Sequence, residues 1–185
     1  MKQQSRAKRV IMPPSYVKTI KDVIFYYYAK LVIAPSAGLA GNYGFIVDRF
    51  KALRAGEVLM SDYDRELFHK EAQPQVICIY CGKEVPLTQD HVVCCDIGAP
   101  EAMHNVVWAC QYCNSSKGSK DLPVWWDEVH GATIGKARDC LPRLPAGIYL
   151  KLAYDWHKVN HSLDYPARDL DDLKPFQAVR RSKRE

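Results

Sequence analysis

Two Cys-x-x-Cys pairs constrain this chain more than any other feature. Cys78 and Cys81 form the first, in CIYCG, and Cys110 and Cys113 form the second, in CQYCN. Thiolates three residues apart can reach one ion, because the intervening turn brings their sulfurs to roughly 3.5–4 Å of each other. Residues 82–109 separate the pairs, which is longer than a simple ribbon, so the insertion is a structural element in its own right. The expectation is a four-cysteine Zn²⁺ site. With every position filled by protein it is structural, and it supplies folding energy where the apolar core is thin. Gly82 gives the sharp turn of a zinc knuckle. Cys94 and Cys95 lie in the same segment, but adjacent residues of a strand face opposite sides and chelate poorly together. They read as small buried side chains. Cys140 has no partner by spacing and is assigned nothing.

Composition decides that these cysteines hold metal and not disulfides. The start, MKQQSRAKRV, is basic but runs into IMPPSYVK, with no long apolar stretch or small-residue cleavage site, so no secretory signal is read. No apolar run approaches the ~20 residues of a membrane helix. A cytoplasmic chain with seven cysteines points to metal binding. The net charge of +5 is unevenly placed. Residues 1–9 carry +4 and residues 180–185 carry +3, which leaves −2 for the body. Such tails can hold a polyanion by counterion release, or can be solvated ends.

Four regions are read along the chain: a basic arm at 1–14, a helical region at 15–72, a metal-stapled core at 73–131, and a helical cap with a basic tail at 132–185. Pro13-Pro14 delays the first helix, which Ser15 can cap and Pro35 ends. Val17, Ile20, Val23, Ile24, Tyr27, Tyr28, Leu31 and Val32 recur at three- and four-residue steps, as for one buried face. Tyr26-Tyr27-Tyr28 could stack on bases, but such a stripe reads better as core. A second helix is expected from Tyr43 to Ala55, with Phe45, Ile46, Phe50 and Leu53 inward and Gly56 as left-handed terminator. Ser61 and Asp64 resemble a capping box for a third, ending near Lys70, with Leu67 and Phe68 inward. Thr88–Val93 and Asn105–Ala109 read as short strands, and Cys113–Ser119 opens a helix. Asp121 can cap another helix ending near Gly131. Pro142 and Pro145 precede a last helix from Ala146 to Val159, with Ile148, Leu152, Trp156 and Val159 on one face.

Asp90-His91-Val92-Val93, then His104-Asn105-Val106-Val107, then Cys110 to Gly118 in CQYCNSSKG, carry a resemblance. In that order they resemble the HNH endonuclease family, with small prokaryotic or phage members in view. The stretch runs from Cys78 to about Leu122. The resemblance implies an α+β fold: a zinc-stapled ββα-metal core flanked by N-terminal and C-terminal helices. It implies that His91 is the general base, a role its ordinary pKa of ~6.5 suits. It makes Asp90 and Asn114 ligands of one Mg²⁺ or Mn²⁺, hard ions that prefer oxygen. Asn105 would brace the loop carrying His91, and Lys117 and Lys120 would meet the phosphates of DNA. Two departures stand where loop geometry is set: Cys94 replaces the common Pro, and the Cys95–Met103 loop lacks an Arg-Gly-Gly flavour.

A blander role stands beside each residue: Asn114 can simply cap its helix, and His104 can be a surface residue. The competing reading is a non-catalytic, zinc-braced module that binds nucleic acid or a partner. A restriction-type or phage-defence role, a homodimer and a regulatory partner are compatible with the large helical flanks, but no residue names one.

Overall fold

The computed structural model describes residues 13–62, 76–94, 103–134 and 137–173. It is an α+β chain that combines helices with a two-stranded antiparallel sheet and a cysteine cluster.

Helix α1, Ile20–Tyr28, lies at the centre. Thr19 caps it, its hydroxyl accepting from the Asp22 amide at 3.1 Å. The cap is therefore four residues later than Ser15. Every residue from Asp22 to Ala34 is buried, so in place of the expected one-sided stripe the helix is covered on all sides, its charged Asp22 and Lys30 included. The tyrosines are core, and two of their hydroxyls find oxygen partners. Tyr27 donates to Asp169 at 2.6 Å and Tyr28 to the Met60 carbonyl at 3.1 Å.

Pro35 does not end the helix. A π-helical turn, Ala29–Ile33, follows α1, and a last α-turn, Ala34–Ser36, carries Pro35 at its start. The helical run is unbroken from α1 to Ser36, and the wider π turn just before Pro35 is one way a helix absorbs a residue that cannot donate. Lys30, on the π turn, is buried with its ammonium 2.6 Å from Asp139 and over the rings of Tyr26 and Tyr27.

Helix α2, Tyr43–Ala55, has the expected bounds. Asn42 Oδ1 accepts from the Phe45 amide, and Gly56 takes the left-handed conformation at φ 75°. Ile46, Phe50 and Leu53 are buried, and Phe45 is partly buried against them. The third helix expected from Ser61 falls largely on residues 63–75, outside the described residues, as do Leu67 and Phe68. Cys95 and most of the loop after it also lie outside them.

Strand β1, Leu87–His91, pairs antiparallel with β2, Val106–Cys110. The register sets Leu87 opposite Cys110, Asp90 opposite Val107 and His91 opposite Val106. Helix α3, Gln111–Lys117, follows β2 directly and packs on both strands. Helix α4, Leu122–Ile134, runs one turn past Gly131. Its Asp127 is tied to Arg138, whose guanidinium also reaches Asp171 at 2.9 Å.

Helix α5, Arg143–Val159, begins three residues before Ala146. Pro142 precedes it and Pro145 sits in its first turn, where no intrahelical donor is missed. Ile148 and Leu152 are buried, Trp156 is half-buried, and Val159 is exposed, so the expected face turns outward at its end. Helix α1 packs against both α2 and α5, so the N-terminal and C-terminal flanks share one layer. The chain then returns antiparallel to its start. Ile20 N donates to Tyr165 O, Lys21 N to Leu163 O and Ala167 N to Lys18 O, each at 2.9 Å. Arg168 adds bonds to the Ser15 and Val17 carbonyls.

Candidate active site and metal cluster

The knuckle is built by local backbone bonds. Cys78 N donates to Lys83 O, Gly82 N donates to Cys78 O, and Gly82 adopts φ 69°. A residue with a side chain is strained at that φ, so glycine is needed there. Ile79 N donates to Trp108 O and stitches the knuckle to β2. On the other side, Cys110 is the N-cap of α3, its sulfur accepting from the Cys113 amide at 3.4 Å.

The ligand atoms of Cys78, Cys81, Cys110 and Cys113 all lie within 4.8 Å of one another, positioned to hold a metal ion. Tetrahedral Zn–S bonds of about 2.3 Å put sulfurs about 3.8 Å apart. Cys81 and Cys110 are separated by 3.8 Å, so the cluster fits that ion. Crowding works against ionisation without a cation. Burial and the neighbouring sulfurs push Cys113 well up. Burial leads the rise at Cys81. Burial also opposes the Cys78 thiolate, but backbone amides of Cys110, Cys81 and Tyr80 turned on its sulfur bring it down to about 7. A dication in the cluster reverses the repulsion. Cys94 is half-buried against the core and Cys140 is exposed.

Tyr80, inside the first Cys-x-x-Cys, joins this cluster to β1. Its hydroxyl donates to Asp90 Oδ2 at 2.7 Å, and its ring meets Trp125 edge-on at 5.0 Å. Trp125 in turn donates to Ser116 of α3 at 3.0 Å. The second Asp90 oxygen, Oδ1, is 3.0 Å from Lys117 Nζ. Asp90 is 4 % exposed. It is thus an enclosed carboxylate with both oxygens engaged, where sequence reasoning left it open. Burial lifts its pKa, and the Lys117 ammonium and Tyr80 hydroxyl restrain that rise.

His91 closes β1 and is half-buried. Among the described residues its ring has no hydrogen-bond partner, while its carbonyl accepts from Lys117 at 2.8 Å. The next two residues are tied to Asn105, which is fully buried. Val92 N donates to Asn105 O, Val93 N to Asn105 Oδ1, and Asn105 Nδ2 to Val93 O, all within 3.0 Å.

Asn114 Nδ2 donates to Thr88 Oγ1 and to Gln89 O, each at 3.0 Å. Both bonds pin α3 to β1 beside Asp90 and leave Oδ1 without a partner among the described residues. Helix capping is not its role here, since it lies inside α3. The oxygens of Asp90 and Asn114 are hard donors that fit Mg²⁺ or Mn²⁺ chemically, and each Asp90 oxygen keeps a second lone pair.

The two lysines part company. Lys120 is half-exposed and paired with Glu128 at 2.6 Å. Lys117, expected at the phosphates, is 1 % exposed and turned inward. Sequence reasoning missed this and missed Tyr80. The signal was present in the spacing: Lys117 follows Asn114 by three residues, which on a helix sets both on the side facing β1.

Residues 78–122 match the family model described as HNH endonuclease. No curated protein and no solved structure matches the chain. Among the described residues no helix is long and apolar enough to cross a membrane.

Proposed function

We propose that this protein is a divalent-metal-dependent endonuclease that hydrolyses DNA phosphodiester bonds. The observation that carries the reading is His91: its ring is unengaged among the described residues, while its carbonyl and the two following residues are tied down. A base held that way can take a proton without rearranging its support.

The division of labour follows from the residues. His91 accepts the proton of the attacking water. Asn105 fixes the bend after β1, and so the direction of the His91 ring. Asn114, held by Thr88 and Gln89, and Asp90 would hold Mg²⁺ or Mn²⁺ through their oxygens. Such an ion supplies charge neutralisation on the phosphate and stabilisation of the leaving oxygen. Four thiolates around a structural Zn²⁺ keep β2, α3 and the knuckle in register. Lys120, on the surface beyond α3, can exchange Glu128 for a phosphate at little cost, since an exposed pair contributes about 0–1 kcal/mol.

The test is plasmid cleavage with Mg²⁺ or Mn²⁺ by wild type and His91→Ala. Cutting by wild type alone is expected. Equal cutting by both would remove His91 from the mechanism, and cutting by neither would end the enzyme reading.

One observation favours a second reading. The enclosure of Asp90 between Tyr80 and Lys117 also suits a module that keeps the fold and only binds nucleic acid. A salt-dependent gel shift without cleavage is its signature.

A further inference from the structure

Lys117 is a fully buried lysine at the junction of strand and helix. Its side chain is 0 % exposed. Its Nζ lies 2.8 Å from the His91 carbonyl, 3.0 Å from Asp90 Oδ1 and 3.3 Å from the Gly118 carbonyl. An ammonium has three N–H donors, and here it meets three oxygens. They come from strand backbone, strand side chain and the end of its own helix. A long charged side chain normally reaches for water, and an enclosed one is retained only where its partners are good. Lys120, three residues later, does reach the surface.

We propose that Lys117 is a positioning residue for His91 and makes no contact with nucleic acid. Its ammonium fastens the Asp90-His91 dipeptide to α3. The His91 carbonyl lies where β1 ends, beyond the last rung with Val106. Fixing that oxygen fixes the backbone rotation that aims the imidazole. The Asp90 contact holds the neighbouring carboxylate in the same grip, and Tyr80 holds it from the knuckle side. The consequence for cleavage rests on the nuclease reading, while the clamp itself does not. A displacement near 1 Å at a reacting group can cost on the order of 10²-fold in rate.

The experiment uses the zinc-loaded full chain labelled with ¹³C and ¹⁵N. Lys117→Met keeps length and removes the donors. The expected result is an upfield move of the His91 carbonyl carbon, read through the Val92 amide, with zinc content retained. Plasmid cleavage should fall in kcat by on the order of 10²-fold, with KM and salt dependence unchanged. A loss carried by KM, with a shallower salt slope, would mark a phosphate contact and overturn the proposal. So would an unmoved His91 carbonyl carbon. If Lys117→Met does not fold, the wild type decides: a correlation through the hydrogen bond from Lys117 ¹⁵Nζ to the His91 carbonyl is expected. An ammonium signal erased by fast water exchange refutes it. If wild type cuts no nucleic acid, the nuclease reading fails and the carbonyl shift still judges the clamp.

Discussion

Asn114 spends its amide nitrogen on two strand oxygens and keeps its own oxygen free of partners among the described residues. That asymmetry makes a sharp prediction. Asn114→Asp adds charge for a cation but loses both donors and sets a carboxylate against the Thr88 hydroxyl and the Gln89 carbonyl. It should lower unfolding free energy by about 1–3 kcal/mol, read by denaturant melting. A gain in stability would show that the oxygen, not the nitrogen, faces β1. Asn105 is the stricter case. Asn105→Ala strands the Val93 N–H and C=O in a site where Val93 is 2 % exposed. The cost is about 1–3 kcal/mol for each group, and cleavage should be lost with it. Unchanged melting would remove Asn105 from the brace. The bonds of Asn105 to the loop after His91 were legible from residue type and order, and the tie of Asn114 to Thr88 and Gln89 was not. Lys117 was not, because a lysine is assigned to the surface by default, and only its helical phase relative to Asn114 argued otherwise.

At the scale of elements, what was local was legible. The bounds of α2 follow from Asn42 and Gly56, which act on their own helix ends. Pro145 misled because a rule about helix interiors was applied to a first turn, and Pro35 because a π turn carries the helix past it. The all-round burial of α1 was invisible, since its cover comes from α5 and from a segment more than 140 residues away. The cysteine cluster yields a prediction with a definite sign. Metal requires four thiolates, so protons compete with it: apparent zinc affinity should fall as pH drops, already above 7 because Cys81 and Cys113 are raised, and more steeply through about 7, where Cys78 protonates as well. Competition with a colorimetric chelator across pH measures this, and a flat profile would argue against thiolate ligation.

His157 on α5 gives a second pH effect. Its Nδ1 meets Ser162 Oγ at 2.7 Å and its Nε2 the Leu173 carbonyl at 2.8 Å. Burial holds its pKa below the ordinary value, and the Leu173 carbonyl only partly offsets that. The unfolded chain therefore binds the proton more readily. The stability His157 contributes is present above about pH 6.5 and is lost as pH falls from there through its folded pKa. Thermal melting of wild type and His157→Gln across pH 5–8 should show a steeper acid-side loss in the wild type, on top of the loss that proton competition at the cysteines causes in both.

In the whole molecule the apolar interior is continuous. One cluster of buried residues includes Val23 and Phe50 from the helical layer, Trp125 and Leu122 from α4, and Val107 and Cys113 from the sheet and cluster. Stripping zinc should therefore lower the melting midpoint of the entire chain. Tryptophan fluorescence, which reports Trp108 of β2, Trp125 and Trp126 of α4 and Trp156 of α5, and far-ultraviolet circular dichroism, which reports the helices, should shift together. Two separated transitions would show that the stapled segment folds apart from its flanks. No pattern in the sequence announced this continuity, because it depends on which helix faces meet.

The antiparallel contact of residues 15–21 with 163–168 has a mechanical meaning. Because the two segments run in opposite directions, the positions just before Ser15 and just after Arg168 leave from the same end of the pairing. Tension applied there loads the rungs in series and peels them one by one. In an optical trap, with handles at the two termini, the first yield should be a small extension as residues 169–173 leave Tyr27, Arg138 and His157 and this zipper then opens, ahead of the rupture of the metal-stapled core.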